Sequence, residues 1–204
     1  MLNSMLKNVW GVTGPIGSGK SSLCRLLEKL GALNIDVDKI GHRLLDDPKI
    51  KSRLISAFGD TILSQEGIVD RKRLGNISFR SAESRTILNG IMHPPMREIV
   101  EETVVAYRDK SEGLVLINAA LLYVMQLDTF CERVLFVTAR PETRLDRLVK
   151  TRGWSNQKAL SRLSCQDAIP ATDYRLMVVE NSGSEADLEK VARKLAGEIL
   201  ELSV

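Results

Sequence analysis

Cysteine is scarce in this chain. Its three cysteines, Cys24, Cys131 and Cys165, are odd in number and scattered, with no C-x-x-C. That excludes a disulfide framework and gives no support to a zinc site. Cys24 reads as a small core residue. Aromatics are only 4% of the chain, so there is no stacking platform for bases, and the basic residues are spread and balanced by acids. The net charge, 29 − 26 = +3, is too small to argue for nucleic acid, though it suits anionic substrates. No apolar run approaches the length of a membrane span. Met1 to Lys7 lack a signal-peptide core, so the cytoplasm is the expected location. Repeats, linkers and low-complexity tracts are missing too. What remains is an ordinary globular composition, 44% hydrophobic and 27% charged over 204 residues. It predicts one domain with a real core and with insertions.

One stretch carries specific chemistry. Gly14-Pro15-Ile16-Gly17-Ser18-Gly19-Lys20-Ser21 fits G-x-x-x-x-G-K-[ST], the phosphate-binding P-loop. Apolar Val9, Trp10 and Val12 before it predict a strand ending at Thr13. Ser22 to Leu30 after it predict a helix, with Leu23, Leu26, Leu27 and Leu30 on one face. In that setting the loop amides cradle phosphate oxygens, most of them from Gly17 to Ser21, and the helix N-terminus adds positive potential. Lys20 would reach the β/γ-phosphates and Ser21 would hold Mg²⁺. Gly14, Gly17, Ser18, Gly19, Lys20, Ser21 and Ser22 are therefore the expected nucleotide-binding residues, for ATP. Pro15 has no amide to give, and its position makes that neutral.

Five short apolar runs read as buried strands: Val9–Thr13, Asn34–Val37, Leu114–Asn118, Val134–Thr138 and Leu176–Val179. Helical patterns separate them, which predicts a parallel sheet covered on both faces. The expected fold is a three-layer α/β/α P-loop type with a five-stranded parallel sheet. Its core would be 1–38, 114–149 and 173–204. The long interval 39–113 holds helical patterns at Pro48–Phe58, Arg71–Phe79 and Ser81–Asn89; Pro94-Pro95 is expected to interrupt it before a further helix to Tyr107. It reads as a helical substrate-binding insertion. Residues 150–172, opened by Arg152-Gly153, read as a lid, with Ser155 capping a helix to Ile169. Ser184-x-x-Asp187 predicts a capping box for a last helix with Leu188, Val191, Ala192, Leu195 and Ile199 in its buried stripe.

A short chain, insertions suited to an acceptor pocket and a lid, and a carboxylate pair near the loop favour a small-molecule kinase. Asp36 and Asp38 end the second strand. Two residues apart, both would face the site if the chain stays extended. One would then accept a hydroxyl proton and the other act through a metal-bound water. The alternative is that Asp38 caps a helix beginning at Lys39. The third strand ends in Asn118-Ala119-Ala120, without the acidic residue that often helps to hold Mg²⁺ there, so that duty passes to Asp36 or Asp38.

Further along, the sequence resembles the dephospho-CoA kinase family over nearly its whole length. Val12 to Ser22 is similar to L-T-G-G-I-G-S-G-K-S-T. Ile35-Asp36-Val37-Asp38 is similar to I-D-A-D, and Glu66 to Leu74 to D-G-x-L-D-R-x-x-L. Leu88-Asn89-Gly90-Ile91-Met92-His93-Pro94 resembles L-N-x-I-x-H-P. Arg147 and Arg152 fall on two arginine positions, Arg162-x-x-x-Gln166 on the lid helix, and Asn181-Ser182-Gly183 on N-x-G. The resemblance implies transfer of the ATP γ-phosphoryl to the 3′-hydroxyl of dephospho-CoA, with a helical CoA-binding insertion and a helical lid. It implies Asp38 as the base, Lys20 and Arg152 at the phosphates, and Asn181 to Gly183 by the adenine. Asp36, His42, Arg71, Leu74, His93 and Pro94 would form the acceptor site. A lone His before Pro is otherwise more often structural. Beyond dephospho-CoA and ATP, no nucleic acid, membrane or obligate protein partner is implied. The chain departs from the family at Ala120-Leu121-Leu122-Tyr123-Val124, where P-L-L-x-E is usual, at Leu176-Met177-Val178-Val179, and at Pro170-Ala171-Thr172, where a basic residue is usual. Competing readings are a P-loop kinase for another small alcohol and a non-catalytic ATP-binding regulator.

Overall fold

β1 (Val9–Thr13) is buried at all five positions and β3 (Val115–Asn118) at all four. Strands buried on both faces belong in the middle of a covered sheet. The computed structural model, which describes residues 8–78, 80–108, 113–164 and 173–202, places them there. With β2 (Leu33–Asp36), β4 (Arg133–Thr138) and β5 (Leu176–Glu180) they form one parallel sheet of order β2-β3-β1-β4-β5. Val12 is level with Asn118 on one side and Leu135 on the other, and Thr138 is level with Glu180. All the strands therefore release their loops at one edge, the edge where such sheets bind ligands.

The chain divides into two compact units, residues 1–35 with 104–204, and residues 36–103. In the first, α1 (Lys20–Lys29) buries Leu23, Cys24 and Leu27, and α8 (Glu185–Leu202) buries Leu188, Ala192 and Leu195. These join Trp10, Val12, Leu116, Leu135, Val137 and Val179 in one core. Leu30, expected on the buried face of α1, is instead 42% exposed. It is the C-cap, and Gly31 at φ +100° turns the chain away behind it. The α8 capping box forms reciprocally: the Ser184 amide donates to Asp187 Oδ2 (3.1 Å) and the Asp187 amide to Ser184 Oγ (3.3 Å). α6 (Pro141–Arg152) ends at Gly153 with φ +64°. Ser155 then caps α7 (Asn156–Leu163), its Oγ accepting from the Lys158 amide at 3.3 Å. α7 ends at Leu163 with Ser164 as its C-cap, and the rest of the expected extension to Ile169 lies outside the described residues.

In the second unit, α2 (Val37–Leu44), α3 (Pro48–Phe58) and α4 (Arg71–Ser78) each start on an aspartate. Asp47 Oδ1 accepts from the Lys49 and Ile50 amides, with Pro48 at the first helical position. Asp70 Oδ1 accepts from the Lys72 and Arg73 amides (2.8 and 3.1 Å). Just before it, Leu63 and Val69 pair antiparallel around a turn at Gly67 (φ +71°). The Glu66 to Leu74 motif is thus a hairpin turn followed by a helix cap.

Two expectations fail here. α2 begins at Val37, not Lys39, and its cap is Asp36, which accepts from the Lys39 amide at 3.1 Å. Extended geometry stops at Asp36, so Asp36 and Asp38 do not share a strand face. Val37, Ile40 and Gly41 are buried at helical spacing, which draws Asp38 into the first turn, where a carboxylate suits the helix dipole. Nor do Pro94 and Pro95 interrupt the chain: α5 (Ala82–Arg108) runs through them for 27 residues. An interior proline costs about 3 kcal/mol. Met92, Met96 and Val100 are buried at four-residue spacing across the pair, and this stripe offsets that cost.

The approach to β5 is held by a polar cluster. Arg175 donates to the Asp173 carboxylate (2.9 Å), to Asp128 Oδ2 (3.1 Å) and to the carbonyls of Asp128 and Cys131. The Tyr123 hydroxyl, in the stretch that replaces P-L-L-x-E, donates to Asp173 at 3.1 Å. The Arg175 hydrogen bond holds the Asp173 carboxyl below its ordinary 3.8. The folded protein therefore keeps Asp173 ionised to lower pH than the unfolded chain does. Its contribution is complete above that ordinary value and is lost as pH falls below it. We predict that Asp173→Asn costs about 2 kcal/mol at pH 7. Denaturant titrations at pH 7 and pH 3 should show that the variant loses less stability on acidification than the wild type; equal losses would rule this role out.

Candidate active site

The turn after β1 has three positive-φ glycines: Gly14 (φ +140°), Gly17 (+79°) and Gly19 (+94°). Each also lies where a side chain has no room. A Cβ on Gly14 would sit 2.0 Å from the Val137 carbonyl oxygen. On Gly17 it would meet the Arg144 carbonyl oxygen at 2.9 Å, and on Gly19 the Asn181 Nδ2 at 2.1 Å. The loop is therefore pressed against β4, α6 and the residue that follows β5.

Its carbonyls are held from outside. Lys20 Nζ donates to Gly14 O at 2.7 Å. Arg144 Nε donates to Ile16 O at 2.9 Å. Arg147 Nη1 shares long bonds with Gly17 O (3.4 Å) and Ser18 O (3.3 Å), and Asn181 Nδ2 donates to Ser18 O at 2.7 Å. Across a trans peptide the N–H points opposite to the C=O. Anchoring the Ile16 and Ser18 carbonyls thus turns the Gly17 and Gly19 amides to the other side of the loop. The Ser18 amide, expected among the phosphate donors, closes a turn on Pro15 O at 3.2 Å. The Ser18 hydroxyl is buried without a hydrogen-bond partner among the described residues. This is a pre-formed anion cradle that ends on the N-terminus of α1. It fits a nucleotide polyphosphate.

Ser21 opens the first turn of α1, exposed, and Ser22 Oγ accepts from Arg25. Among the described residues, no group of three or more His, Cys, Asp or Glu is arranged to hold a metal. One hydroxyl beside a polyphosphate nevertheless suits Mg²⁺, which keeps several waters and takes few protein ligands. Asn118, at the end of β3, is buried. Asn181 is buried and its side-chain NH₂ is committed to the loop, whereas Gly183 is exposed beside the Asp187 carboxylate. Arg152 is exposed at the end of α6, 5.7 Å from the Trp154 ring, and Lys158 lies 4.5 Å from the same ring.

The second unit contains a cavity of about 530 Å³ lined by His42, Arg43, Asp46, Glu66, Asp70 and Arg71, with apolar Leu45, Ile68 and Val69. It brings His42 and Arg71 together. Leu74, His93 and Pro94 do not line it: Leu74 is 5% exposed in the core, and Pro94 is exposed on α5. His93 is half-buried, and that burial lowers its pKa.

Sequence reasoning missed Arg144. It is 4% exposed, on the same stripe of α6 as buried Leu148, and burial lowers its pKa. A cation four residues from a core leucine was the available signal.

The family model for dephospho-CoA kinase (CoaE) matches residues 8–187. The chain belongs to the dephospho-CoA kinase family. It is 35% identical to a dephospho-CoA kinase of Dehalococcoides mccartyi over 95% of this chain and 98% of that one. A dephospho-CoA kinase of Lactobacillus johnsonii is 31% identical over 93% and 96%. Among solved structures, TT1252 from Thermus thermophilus superposes with a TM-score of 0.78 at 27% identity, covering 95% of this chain and 98% of that one. A dephospho-CoA kinase from Campylobacter jejuni gives 0.63 at 27% identity over 94% and 97%. The family is one of ATP-dependent phosphotransferases, and the kinase reading of the P-loop holds.

The cradle makes one steric prediction. Gly14→Ala should cost about 3 kcal/mol or more, from the disallowed φ and the clash with the Val137 carbonyl. Chemical denaturation would measure it; a loss within error would mean that the loop yields without cost.

Proposed function

We propose that this protein transfers the γ-phosphoryl of ATP to the 3′-hydroxyl of dephospho-CoA, giving coenzyme A and ADP. The observation that carries the reading is the braced loop between β1 and α1 in a chain of this family. Its outward carbonyls are tied, which turns the Gly17 and Gly19 amides to the side where phosphate oxygens would lie. The nucleotide is held by Gly14 to Ser22, and Asn181 supports that loop from beneath. Lys20 leaves the Gly14 carbonyl for the phosphates when they bind. The Ser21 hydroxyl would help to hold Mg²⁺ beside the phosphates, where the ion would supply neutralisation of the transferring group's charge. Arg152 leaves Trp154 to add a planar charge there.

Asp38 is the base that accepts the hydroxyl proton. Its place in the first turn of α2, exposed and not used as a cap, leaves its carboxylate available. Asp36 is the cap that fixes that turn. His42 and Arg71 line a cavity of a size suited to part of the acceptor, and Arg71 brings a cation for its phosphates. Leu74 and Pro94 shape the helices around it, and His93 contributes an imidazole biased toward its neutral form. The functional division in this reading is a core of 1–38, 114–149 and 173–204, an acceptor-binding insertion 39–113, of which 39–103 lie in the second compact unit, and a lid 150–172. This reading assigns the reaction to the cytoplasm.

The deciding assay is ADP release with ATP and Mg²⁺, with and without dephospho-CoA, and a product mass raised by one phosphoryl. Release indifferent to dephospho-CoA, or no release with ATP still bound, would defeat the reading. Asp38→Asn should lower kcat by several orders of magnitude with ATP affinity nearly unchanged. Near-normal turnover would remove Asp38 as the base.

A further inference from the structure

Arg144 stands out as a buried charge without a counter-charge. It is 4% exposed, yet it forms no ion pair among the described residues. Its Nε has a neutral partner, the Ile16 carbonyl at 2.9 Å, and its Nη2 is enclosed with no hydrogen-bond partner among the described residues. Enclosing a cation that way is costly. The residue lies on α6 against the middle of the phosphate loop, with its own carbonyl oxygen 2.9 Å from where a Gly17 Cβ would be. The Ile16–Gly17 peptide is therefore fixed from two sides. The arginine holds its carbonyl, and the α6 backbone limits its far end.

We infer that Arg144 is a positioning residue for phosphate binding: it holds the Ile16 carbonyl so that the Gly17 amide is aimed at the phosphates, and their charge balances its own. This rests on the kinase reading above. In the nucleotide-free protein the guanidinium is a destabilising element. A bound polyphosphate supplies the missing anion across the loop, so part of the affinity for the nucleotide comes from relief of that buried charge. The effect acts on the phosphate chain and not on the nucleoside.

The test compares the wild type with Arg144→Met, which keeps length and loses charge and donors, and Arg144→Lys, which keeps charge and loses the fork. Calorimetry with ADP, inorganic tripolyphosphate and adenosine gives the affinities. Arg144→Met should bind ADP and tripolyphosphate about ten- to a hundredfold more weakly, with adenosine unchanged. Its KM for ATP should rise, with the KM for dephospho-CoA unaltered. Its nucleotide-free thermal midpoint should hold or rise, because an uncompensated charge is gone. Arg144→Lys should fall between the two, and it carries the decision if the Met variant does not fold. Wild-type affinity for tripolyphosphate in the folded variants, or equal losses for adenosine and ADP, would overturn the inference. A wild-type protein that binds neither ADP nor tripolyphosphate would overturn the kinase reading and this inference with it.

Discussion

A loop cannot offer its amides to an anion unless its carbonyls are satisfied somewhere else. The phosphate site of this protein depends on that constraint. The carbonyl of Gly14 is held by Lys20, that of Ile16 by Arg144, and that of Ser18 by Arg147 and Asn181. Except for Lys20, these donors arrive from 128 or more residues away. They arrive because β1 lies beside β4, and β4 beside β5. The helix after β4 brings two arginines and the turn after β5 brings the asparagine. A different strand order would leave the same eight-residue motif as an unsupported turn. The three positive-φ glycines are the other half of the bargain, since any side chain at 14, 17 or 19 would keep these braces from closing.

The second unit uses a separate logic. Three of its helices, α2, α3 and α4, start on Asp36, Asp47 and Asp70, each accepting backbone amides. Capping fixes where the neighbouring side chains emerge. Because Asp36 takes the cap, Asp38 does not; because Asp70 takes the cap of α4, Arg71 begins that helix on the wall of the cavity. One carboxylate of the Asp36-Val37-Asp38 pair is thus structural, and the other is exposed in the first turn of α2.

Much of this was legible in the sequence, and the limits have physical causes. The five strands were readable because apolar runs mark them, and the P-loop because its spacing is dictated by phosphate geometry. The starts of α3, α7 and α8 were readable because their caps are local. Three things were not. That neither an extended Asp36/Asp38 pair nor an Asp38 cap forms turned on whether Val37 is strand or helix, which buried Ile40 and Gly41 decide. Pro94-Pro95 looked like a break because propensity is local, whereas the stripe of Met92, Met96 and Val100 that overrides it is tertiary. Arg144 was hidden because its role needs the loop of residues 14–21 beside it; its spacing to Leu148 signals burial but not what the side chain holds.

The net charge of +3 makes the chain look electrostatically unremarkable, and the phosphate loop shows why the total misleads. Arg144 and Arg147 both point their donors at loop carbonyls, and neither forms an ion pair among the described residues. By contrast, Arg175 pairs with two carboxylates, Asp128 and Asp173, and its charge is strongly held. The same residue type is thus used in two ways in one unit. At the start of β5 the charge is neutralised within the fold and serves stability. At the loop it is left unbalanced, which weakens the empty protein and strengthens the bound one. A site for polyanions is best made from cations that the fold has not already satisfied.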